Sequence, residues 1–252
     1  MRNEKPTHLD LFSGIGGFAL AAGWAGFETV GFCDNEPYAQ AVLKKHWPDV
    51  PIHGDIKALD GTAYRGVTLL TGGFPCQPFS NAGKRRGKDD DRYLWPQMLR
   101  VIQEARPAWI VGENVVGIIG LALDQVCSDL EAEGYEVEPI IIPACGVDAP
   151  HRRNRVWVVA HTEQSRWGSR EQNIFKERGS VGEPVLFNSE GDGRIIKSFW
   201  EAKETDWAMD IKASICRKDD GISNRVDRLK GLGNAIVPQV AYQIIKGIRE
   251  LL

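Results

Sequence analysis

The amino-terminal part of the chain alternates short apolar runs with glycine-rich turns and with apolar residues at helical spacing. Residues 8–12 predict a strand, residues 13–17 a glycine-rich turn and residues 18–24 a helix. A second strand is predicted over residues 28–33, and Pro37 then opens a second helix. Because strands that alternate with helices favour a parallel sheet covered by those helices, this pattern predicts an α/β fold.

The glycine-rich turn has the composition of a nucleotide-type loop, in which the backbone approaches a ligand closely. Gly14, Gly16 and Ala19 fit the degenerate pattern G-x-G-x-x-A. Asp34 follows the second strand, where an acid can bind ribose hydroxyls. Asp55 follows a further short apolar run and is a candidate acceptor for an adenine amino group. A turn or cap role is the alternative interpretation of both aspartates.

The strand and helix pattern continues to about residue 160 and resumes at residue 229. Residues 161–228 carry no sustained period, which predicts a small separate lobe. Further strands are predicted at 67–70, 109–111, 135–142 and 156–160, and further helices at about 94–105, around 123–130 and from Pro238 onward. We therefore expect a mainly parallel sheet with helices on both faces, formed by residues 1–160 and 229–252.

Composition excludes several classes of protein. With 252 residues, 42% of them hydrophobic and 26% charged, the chain can bury a full core and is not disordered. Its apolar runs are shorter than the roughly 20 residues that span a bilayer, and residues 1–5 lack the apolar region of a signal peptide. These features predict a cytoplasmic protein with no membrane partner.

Cysteine usage and charge limit the possible ligands. The five cysteines are odd in number and scattered, without the spacing of a zinc site or a disulfide framework, so we expect reduced thiols and no metal. The formal net charge of −3 gives no overall attraction for nucleic acid. Binding to nucleic acid would therefore depend on two local basic clusters, residues 84–88 and 152–155.

One stretch, residues 72–80 with the sequence GGFPCQPFS, holds Cys76 between Pro75 and Pro78 at the end of an apolar run. Each proline fixes a backbone dihedral and removes an amide donor, so the turn is stiff. The carboxyl end of a strand is also where open α/β sheets bind their ligands. The alternative is a small buried hydrophobe, but the two prolines favour a positioned nucleophile.

The polar stretch that follows, residues 81–92, contains two glycines, several basic residues and an acidic run. A long loop of this kind inside a compact domain is often functional. One interpretation is a lid whose basic residues contact phosphates when nucleic acid is bound. The other is a solvated surface loop.

These motifs and their order along the chain resemble those of the DNA (cytosine-5)-methyltransferases. The resemblance is carried by Pro-Cys-Gln around Cys76, by residues 113–115 with the sequence Glu-Asn-Val, and by the Arg-x-Arg of Arg153 and Arg155. It implies a Rossmann-like S-adenosylmethionine-dependent methyltransferase fold of the bacterial or phage type. Residues 161–228 would then be a target recognition lobe, which is short for this family.

The resemblance also implies a reaction and its partners. Carbon 5 of cytosine is a poor nucleophile, so a thiolate must first add to carbon 6 while an acid binds N3. Cys76 would be the nucleophile, Glu113 the partner of N3, and Arg153 and Arg155 would orient the base and the carboxylate. The substrate would be a cytosine flipped out of double-stranded DNA. The implied enzyme is a monomer, with a separately acting restriction endonuclease as a further partner.

Further site residues follow from the same resemblance. The ring of Phe12 would stack on the adenine of S-adenosylmethionine. The predicted cofactor residues are Asp10, Phe12, Gly14, Gly16, Asp34, Asn35, Asp55, Ile56 and Asn234. The candidate DNA contacts are polar or basic residues of the loop and the lobe: Gln77, Ser80, Lys84, Arg85, Arg86, Arg194, Lys197, Arg217 and Arg225.

Three other functions remain open at this point. A tRNA cytosine-5 methyltransferase of the same lineage shares the Pro-Cys-Gln and Glu-Asn-Val motifs. A nicotinamide dehydrogenase would explain the glycine-rich turn and Asp34, but it has no use for a cysteine between two prolines. A protein that binds DNA without modifying it would be expected to lack Cys76 or Glu113, and the chain has both.

Overall fold

The fold is described from a computed structural model, in residues 5–75, 93–147, 153–162 and 235–252. The strands are β1 (Thr7–Leu11), β2 (Glu28–Cys33), β3 (Ile52–His53), β4 (Leu69–Gly72), β5 (Trp109–Val115), β6 (Tyr135–Pro143) and β7 (Asn154–Thr162). The helices are α1 (Gly17–Trp24), α2 (Pro37–His46), α3 (Trp95–Ala105), α4 (Leu123–Ala132) and α5 (Pro238–Leu251). The strands form a seven-stranded sheet in the order β3-β2-β1-β4-β5-β7-β6.

The sheet is mainly parallel, as predicted. Strands β1 to β5 run in the same direction, whereas β7 is antiparallel to both β5 and β6. The first five strands therefore present their carboxyl ends at one edge. The turns that follow β1, β2, β3 and β4 meet at this edge, which brings together segments far apart in the sequence.

Helices cover both faces of the sheet, which confirms the predicted α/β architecture. On one face, Met98 of α3 and Val126 of α4 join a buried cluster with Leu70 of β4. On the other face, Phe18 of α1 and Ile245 of α5 pack in a second cluster. Helix α3 buries Trp95, Met98, Val101, Ile102 and Ala105. This spacing forms one apolar stripe, which is why the segment becomes a helix lying on the sheet.

Predicted strand boundaries are wrong by a few residues at β4, β5 and β7, the last of which spans Asn154–Thr162 and not 156–160. The strand expected at 67–70 is β4 and includes Gly72, because its residues pair with both β1 and β5. The strand expected at 109–111 continues to Val115, because β7 pairs along its whole length. Glu113 therefore lies inside a paired strand, opposite Trp157, and not beyond the end of one.

Most of the predicted lobe, from residue 163 to residue 228, lies outside the described residues, while residues 161–162 continue β7. Among the helices that the structure describes, none has both the length and the apolar content needed to cross a membrane.

Candidate active site

The glycine-rich turn after β1 has a backbone that most residues cannot adopt. Gly14 and Gly16 have φ angles of 53° and 85°, in the left-handed region that favours glycine. Gly16 is also the N-cap of α1. A Cβ at this position would lie 2.6 Å from the ring of Trp47, so space and backbone both require glycine there. Phe12, just before the turn, has a φ of 53° and packs against the core beside it.

Asp34 ties the end of β2 to the glycine-rich turn. One carboxylate oxygen accepts the amide N–H of Gly14 at 2.7 Å, and the other accepts the amide N–H of Glu36 at 2.9 Å. The predicted turn or cap role of Asp34 is therefore present in the structure. Carboxylate oxygens have further lone pairs, so the same group can still accept ribose hydroxyls. The adjacent Asn35 is exposed.

Asp55 lies at the same edge of the sheet, beyond the end of β3. The amide N–H of Asp34 donates to the carbonyl of His53 at 3.0 Å, so the segments that follow β2 and β3 run side by side. Asp55 is exposed, and its carboxylate accepts the amide N–H of Lys57 at 2.9 Å. Ile56 turns inward and is 5% exposed. Both predicted acids thus lie on the edge predicted for a nucleotide.

Asp10 is placed differently from the other predicted cofactor residues, because its side chain is fully buried under the glycine-rich turn. The hydroxyl of Thr71 donates to its carboxyl group at 2.7 Å, and Nε2 of His8 lies 2.7 Å from the same hydroxyl. Burial raises the pKa of Asp10 to about 8, with a smaller contribution from the charge of Asp34, while the bond from Thr71 opposes the shift.

Glu113 and Arg155 form an ion pair between β5 and β7. Nε of Arg155 lies 2.8 Å from Oε1 of Glu113, and the Glu113 side chain is only 11% exposed. Burial raises the pKa of Glu113 above its usual range, although the charges of Arg155 and Arg153 act in the opposite direction. A carboxyl group in this environment can hold a proton at a higher pH than a free glutamic acid.

The segment that carries Cys76 starts beside Glu113. A Cβ built on Gly73 would lie 3.6 Å from Oε2 of Glu113. Nδ2 of Asn114 donates to the carbonyl of Phe74 at 2.8 Å, which fixes the backbone two residues before the cysteine. Cys76 itself lies outside the described residues. The structure therefore places residues 73–74, which lead to Cys76, next to Glu113, the predicted acid.

Arg153 contacts a different partner from Arg155. Its guanidinium donates to the carbonyl of Ala235 at 2.8 Å, just before α5. A Cβ on Gly17 would lie 2.7 Å from Ile236, so residues 235–236 also reach the start of α1. Asn234 lies outside the described residues, but the two residues that follow it contact Arg153 and the start of α1.

Several predicted contacts cannot be placed, since they lie outside the described ranges: Gln77, Ser80, Lys84, Arg85, Arg86, Arg194, Lys197, Arg217 and Arg225. Within the described ranges, no group of three or more His, Cys, Asp or Glu residues could hold a metal ion. The polar chain of His8, Thr71 and Asp10 was not predicted, because an isolated histidine or threonine in a strand carries no signal of its partners.

The fold is that of an α/β protein with a nucleotide-type site at the carboxyl edge of its sheet. The ion pair of Glu113 and Arg155 forms a second polar centre next to this site. A model of the C-5 cytosine-specific DNA methylase family matches residues 7–214 of the chain. The chain belongs to this family. The resemblance identified from the motifs is thus confirmed.

Individual relatives agree with this assignment. The chain is 32% identical over 228 residues to the Type II methyltransferase M.MspI of a Moraxella species, a match that covers 87% of the chain and 51% of the relative. It is 36% identical to the Type II methyltransferase M.Eco47II of Escherichia coli, over 75% of the chain and 48% of the relative. Against M.NgoMIV of Neisseria gonorrhoeae the identity is 44%, over 45% and 36%. The chain spans about half or less of the length of these relatives.

Solved structures share the fold. A putative DNA modification methyltransferase encoded within an E. coli prophage aligns with a TM-score of 0.55 at 25% identity, over 63% of the chain and 47% of that protein. The S. pombe Dnmt2 methyltransferase aligns with a TM-score of 0.55 at 22% identity, over 71% and 62%. These alignments confirm the Rossmann-like methyltransferase fold.

Proposed function

We propose that the chain is a DNA (cytosine-5)-methyltransferase, which transfers a methyl group from S-adenosylmethionine to carbon 5 of a cytosine flipped out of duplex DNA. The observation that carries this proposal is the placement of Glu113. Its carboxyl group is buried, paired with Arg155 at 2.8 Å and next to Gly73, three residues before Cys76. An acid of raised pKa and a cysteine nucleophile are the two groups that activation of cytosine requires.

The residues at the carboxyl edge fit S-adenosylmethionine. The carboxylate of Asp34 suits ribose hydroxyls, and the exposed Asp55 suits the amino group of an adenine. The first amides of α1, behind Gly16, suit the carboxylate of the methionine end. When bound, the cofactor supplies an electrophilic methyl group.

The groups of the chain itself would activate the base. The thiolate of Cys76 adds to carbon 6 of cytosine, while Glu113 hydrogen-bonds or protonates N3, so that negative charge builds up at carbon 5. After carbon 5 has gained the methyl group, a water molecule removes its proton, and the electron pair of that bond re-forms the double bond between carbons 5 and 6. The bond from sulfur to carbon 6 breaks, its electron pair returns to the thiolate of Cys76, and a proton given to N3 returns to Glu113. Arg155 would hold Glu113 in place during these steps, and Arg153 would hold residues 235–236 beside them.

The relatives M.Eco47II and M.MspI are named Type II methyltransferases, which supports double-stranded DNA as the substrate. A separately acting restriction endonuclease and a monomeric state belong to the same proposal, as does a target recognition lobe at residues 161–228. The second candidate is a tRNA cytosine-5 methyltransferase of the same lineage, which would carry the same Pro-Cys-Gln and Glu-Asn-Val motifs.

The test is transfer of a labelled methyl group from S-adenosylmethionine to unmethylated duplex DNA or to unmodified tRNA by the parent chain and by Cys76→Ser. We expect the parent chain to form 5-methylcytosine in DNA and the variant to bind cofactor and DNA without turnover. Labelled tRNA with unlabelled DNA would instead establish the second candidate. Full turnover by Cys76→Ser would exclude Cys76 as the nucleophile.

A further inference from the structure

Helix α3 is bonded to the loop that carries Asp55, which we call the Asp55 loop (residues 54–61). Arg100, in the middle of α3, donates from Nη2 to the carbonyl of Ile56 at 2.6 Å and from Nη1 to the carbonyl of Leu59 at 3.0 Å. These two carbonyls lie on one side of a tight turn, in which the carbonyl of Asp55 accepts the amide N–H of Leu59 at 3.1 Å. A planar guanidinium suits this geometry because it presents several donors in a fixed fork.

Glu104 completes the contact one helical turn further along α3. Each of its carboxylate oxygens accepts a hydrogen bond from Nη1 of Arg100 at 2.8 Å. Its Oε2 also accepts the amide N–H of Gly61 at 2.8 Å. The backbone of Gly61 approaches α3 so closely that a Cβ there would lie 2.9 Å from Glu104. Arg100 and Glu104 therefore bind both ends of the Asp55 loop as one unit, while keeping each other's charge paired.

The Asp55 loop is also held from the inside. Ile56 and Leu59 are 5% and 2% exposed, and both belong to the core cluster that α3 covers. With its apolar side chains buried and three backbone groups bonded to α3, the loop has little conformational freedom. Asp55 itself stays exposed at the carboxyl edge, in the segment bonded next to Asp34.

We propose that Arg100 and Glu104 are positioning residues. They hold the Asp55 loop in the shape that binds the adenine of S-adenosylmethionine. The inference rests on the proposed function, since it assumes that S-adenosylmethionine occupies this edge. A ligand that meets a loop already fixed in its bound shape does not have to order that loop, and its affinity is higher for that reason. The bonds from Arg100 and Glu104 fix the shape that Asp55 presents to the base.

Binding of S-adenosylhomocysteine, followed by calorimetry, tests this directly. The variants are Arg100→Met, Arg100→Lys and Glu104→Gln, with Arg106→Met as the matched control. Arg106 follows the end of the same helix and also contacts a glutamate and a backbone carbonyl, both of Glu133, but near the amino end of β5. We expect Arg100→Met to weaken binding at least about tenfold, the two milder variants to weaken it less, and the control to bind like the parent chain.

A second readout separates positioning from a general loss of stability. S-inosylhomocysteine differs from S-adenosylhomocysteine in carrying a carbonyl oxygen in place of the adenine amino group. If the Asp55 loop is displaced, the preference of the chain for the adenine form should decrease in the Arg100 and Glu104 variants and not in the control. In turnover assays the KM for S-adenosylmethionine should rise while kcat at saturating cofactor stays within about threefold, because the chemistry takes place at Glu113.

The outcomes are distinguishable. No binding of S-adenosylhomocysteine to the parent chain would overturn the proposed function together with this inference. Tight binding by the parent chain with unchanged affinity and unchanged adenine preference in Arg100→Lys and Glu104→Gln would overturn this inference alone. If Arg100→Met does not fold, those two milder variants still decide the question, since each keeps a similar volume in the same place.

Discussion

Nε of Arg155 lies 2.8 Å from Oε1 of Glu113, across the antiparallel pair formed by β7 and β5. The two residues lie far apart in the sequence, and the register of the strands brings them together. The pair combines a buried carboxylate, which favours its proton, with a cation that favours ionisation. This balance sets the pH range in which Glu113 can donate to a base.

The first prediction concerns Arg155→Met. Since the charge of Arg155 lowers the pKa of Glu113, its removal should raise that pKa further, because the burial that favours the neutral form remains. If protonated Glu113 donates to N3, the alkaline limb of the pH profile of kcat should move to higher pH. The profile is measured at saturating DNA and cofactor. Arg155→Lys keeps the charge and should move the limb less. If the limb is unshifted in both variants, the charge of Arg155 does not influence the pKa of Glu113.

The second prediction concerns Glu113→Gln. An amide has no acidic proton to give to N3, so methyl transfer should slow by roughly 10²- to 10⁴-fold, the range typical for loss of a general acid. The affinity for S-adenosylhomocysteine should change little, because Glu113 lies beside Gly73 and not beside Asp34. Glu138→Gln, an exposed glutamate of β6, is the control. Single-turnover rates and calorimetry give the two quantities, and a parallel loss of cofactor affinity would assign Glu113 to the cofactor site.

The third prediction concerns Asn114→Ala. The side chain of Asn114 is 5% exposed and donates to the carbonyl of Phe74, so its loss leaves that buried carbonyl without the bond. We expect the free energy of unfolding to fall by about 1–3 kcal/mol. Methyl transfer should also slow, because the backbone leading to Cys76 is no longer fixed. Urea unfolding and single-turnover assays test both effects against Asn154→Ala, whose side chain is exposed. Equal stability of the two variants would contradict the prediction.

The fourth prediction concerns pH and stability. Burial raises the pKa of Asp10 from 3.8 to about 8 and lowers that of His8 from 6.5 to about 3. Between pH 6.5 and 8 the folded chain keeps a proton on Asp10 that the unfolded chain has lost, so the free energy of unfolding falls as pH rises, by roughly 1 kcal/mol per pH unit. Between pH 3.8 and 6.5 the unfolded chain gains a proton at His8 that the folded chain lacks, and the two effects cancel.

Asp10→Asn tests this relationship. The variant cannot lose a proton at position 10, so the difference in unfolding free energy between the variant and the parent chain should change steadily from pH 6.5 to 8 in favour of the variant. Urea titrations at three pH values within that window provide the measurement. A difference that stays constant with pH would mean that Asp10 is already ionised in the folded chain at pH 6.5.

The fifth prediction concerns Gly16→Ala. The φ of 85° and the 2.6 Å approach of Trp47 to the added methyl group both disfavour alanine, so we expect a loss of about 1–3 kcal/mol in the free energy of unfolding. Gly247→Ala provides a control of opposite sign. Gly247 lies inside α5 with open space around it, so alanine should stabilise the helix by about 0.5–1 kcal/mol. Thermal unfolding of both variants would show the contrast, and destabilisation by both would contradict it.

Local pattern was sufficient for much of the fold. The apolar runs and glycine-rich turns predicted strands β1, β2 and β6 and helices α1 to α5 close to their observed places, because periodicity and turn chemistry act within a few residues. Asp34 and Asp55 were also predicted at strand ends, and the carboxyl ends of parallel strands must share one edge. The late start of β4 was not predicted, since pairing with β1 and β5 sets its limits.

The sequence by itself determined the α/β class, the family motifs and the order in which they occur, because each of these depends on neighbouring residues. Only the tertiary structure decided which side chains meet. It joined Arg155 to Glu113, Asn114 to Phe74 and Arg100 to the Asp55 loop, and it buried Asp10 with His8. Strand register and helix placement fix these contacts, and both result from burying apolar surface over the whole chain, which no local stretch of sequence encodes.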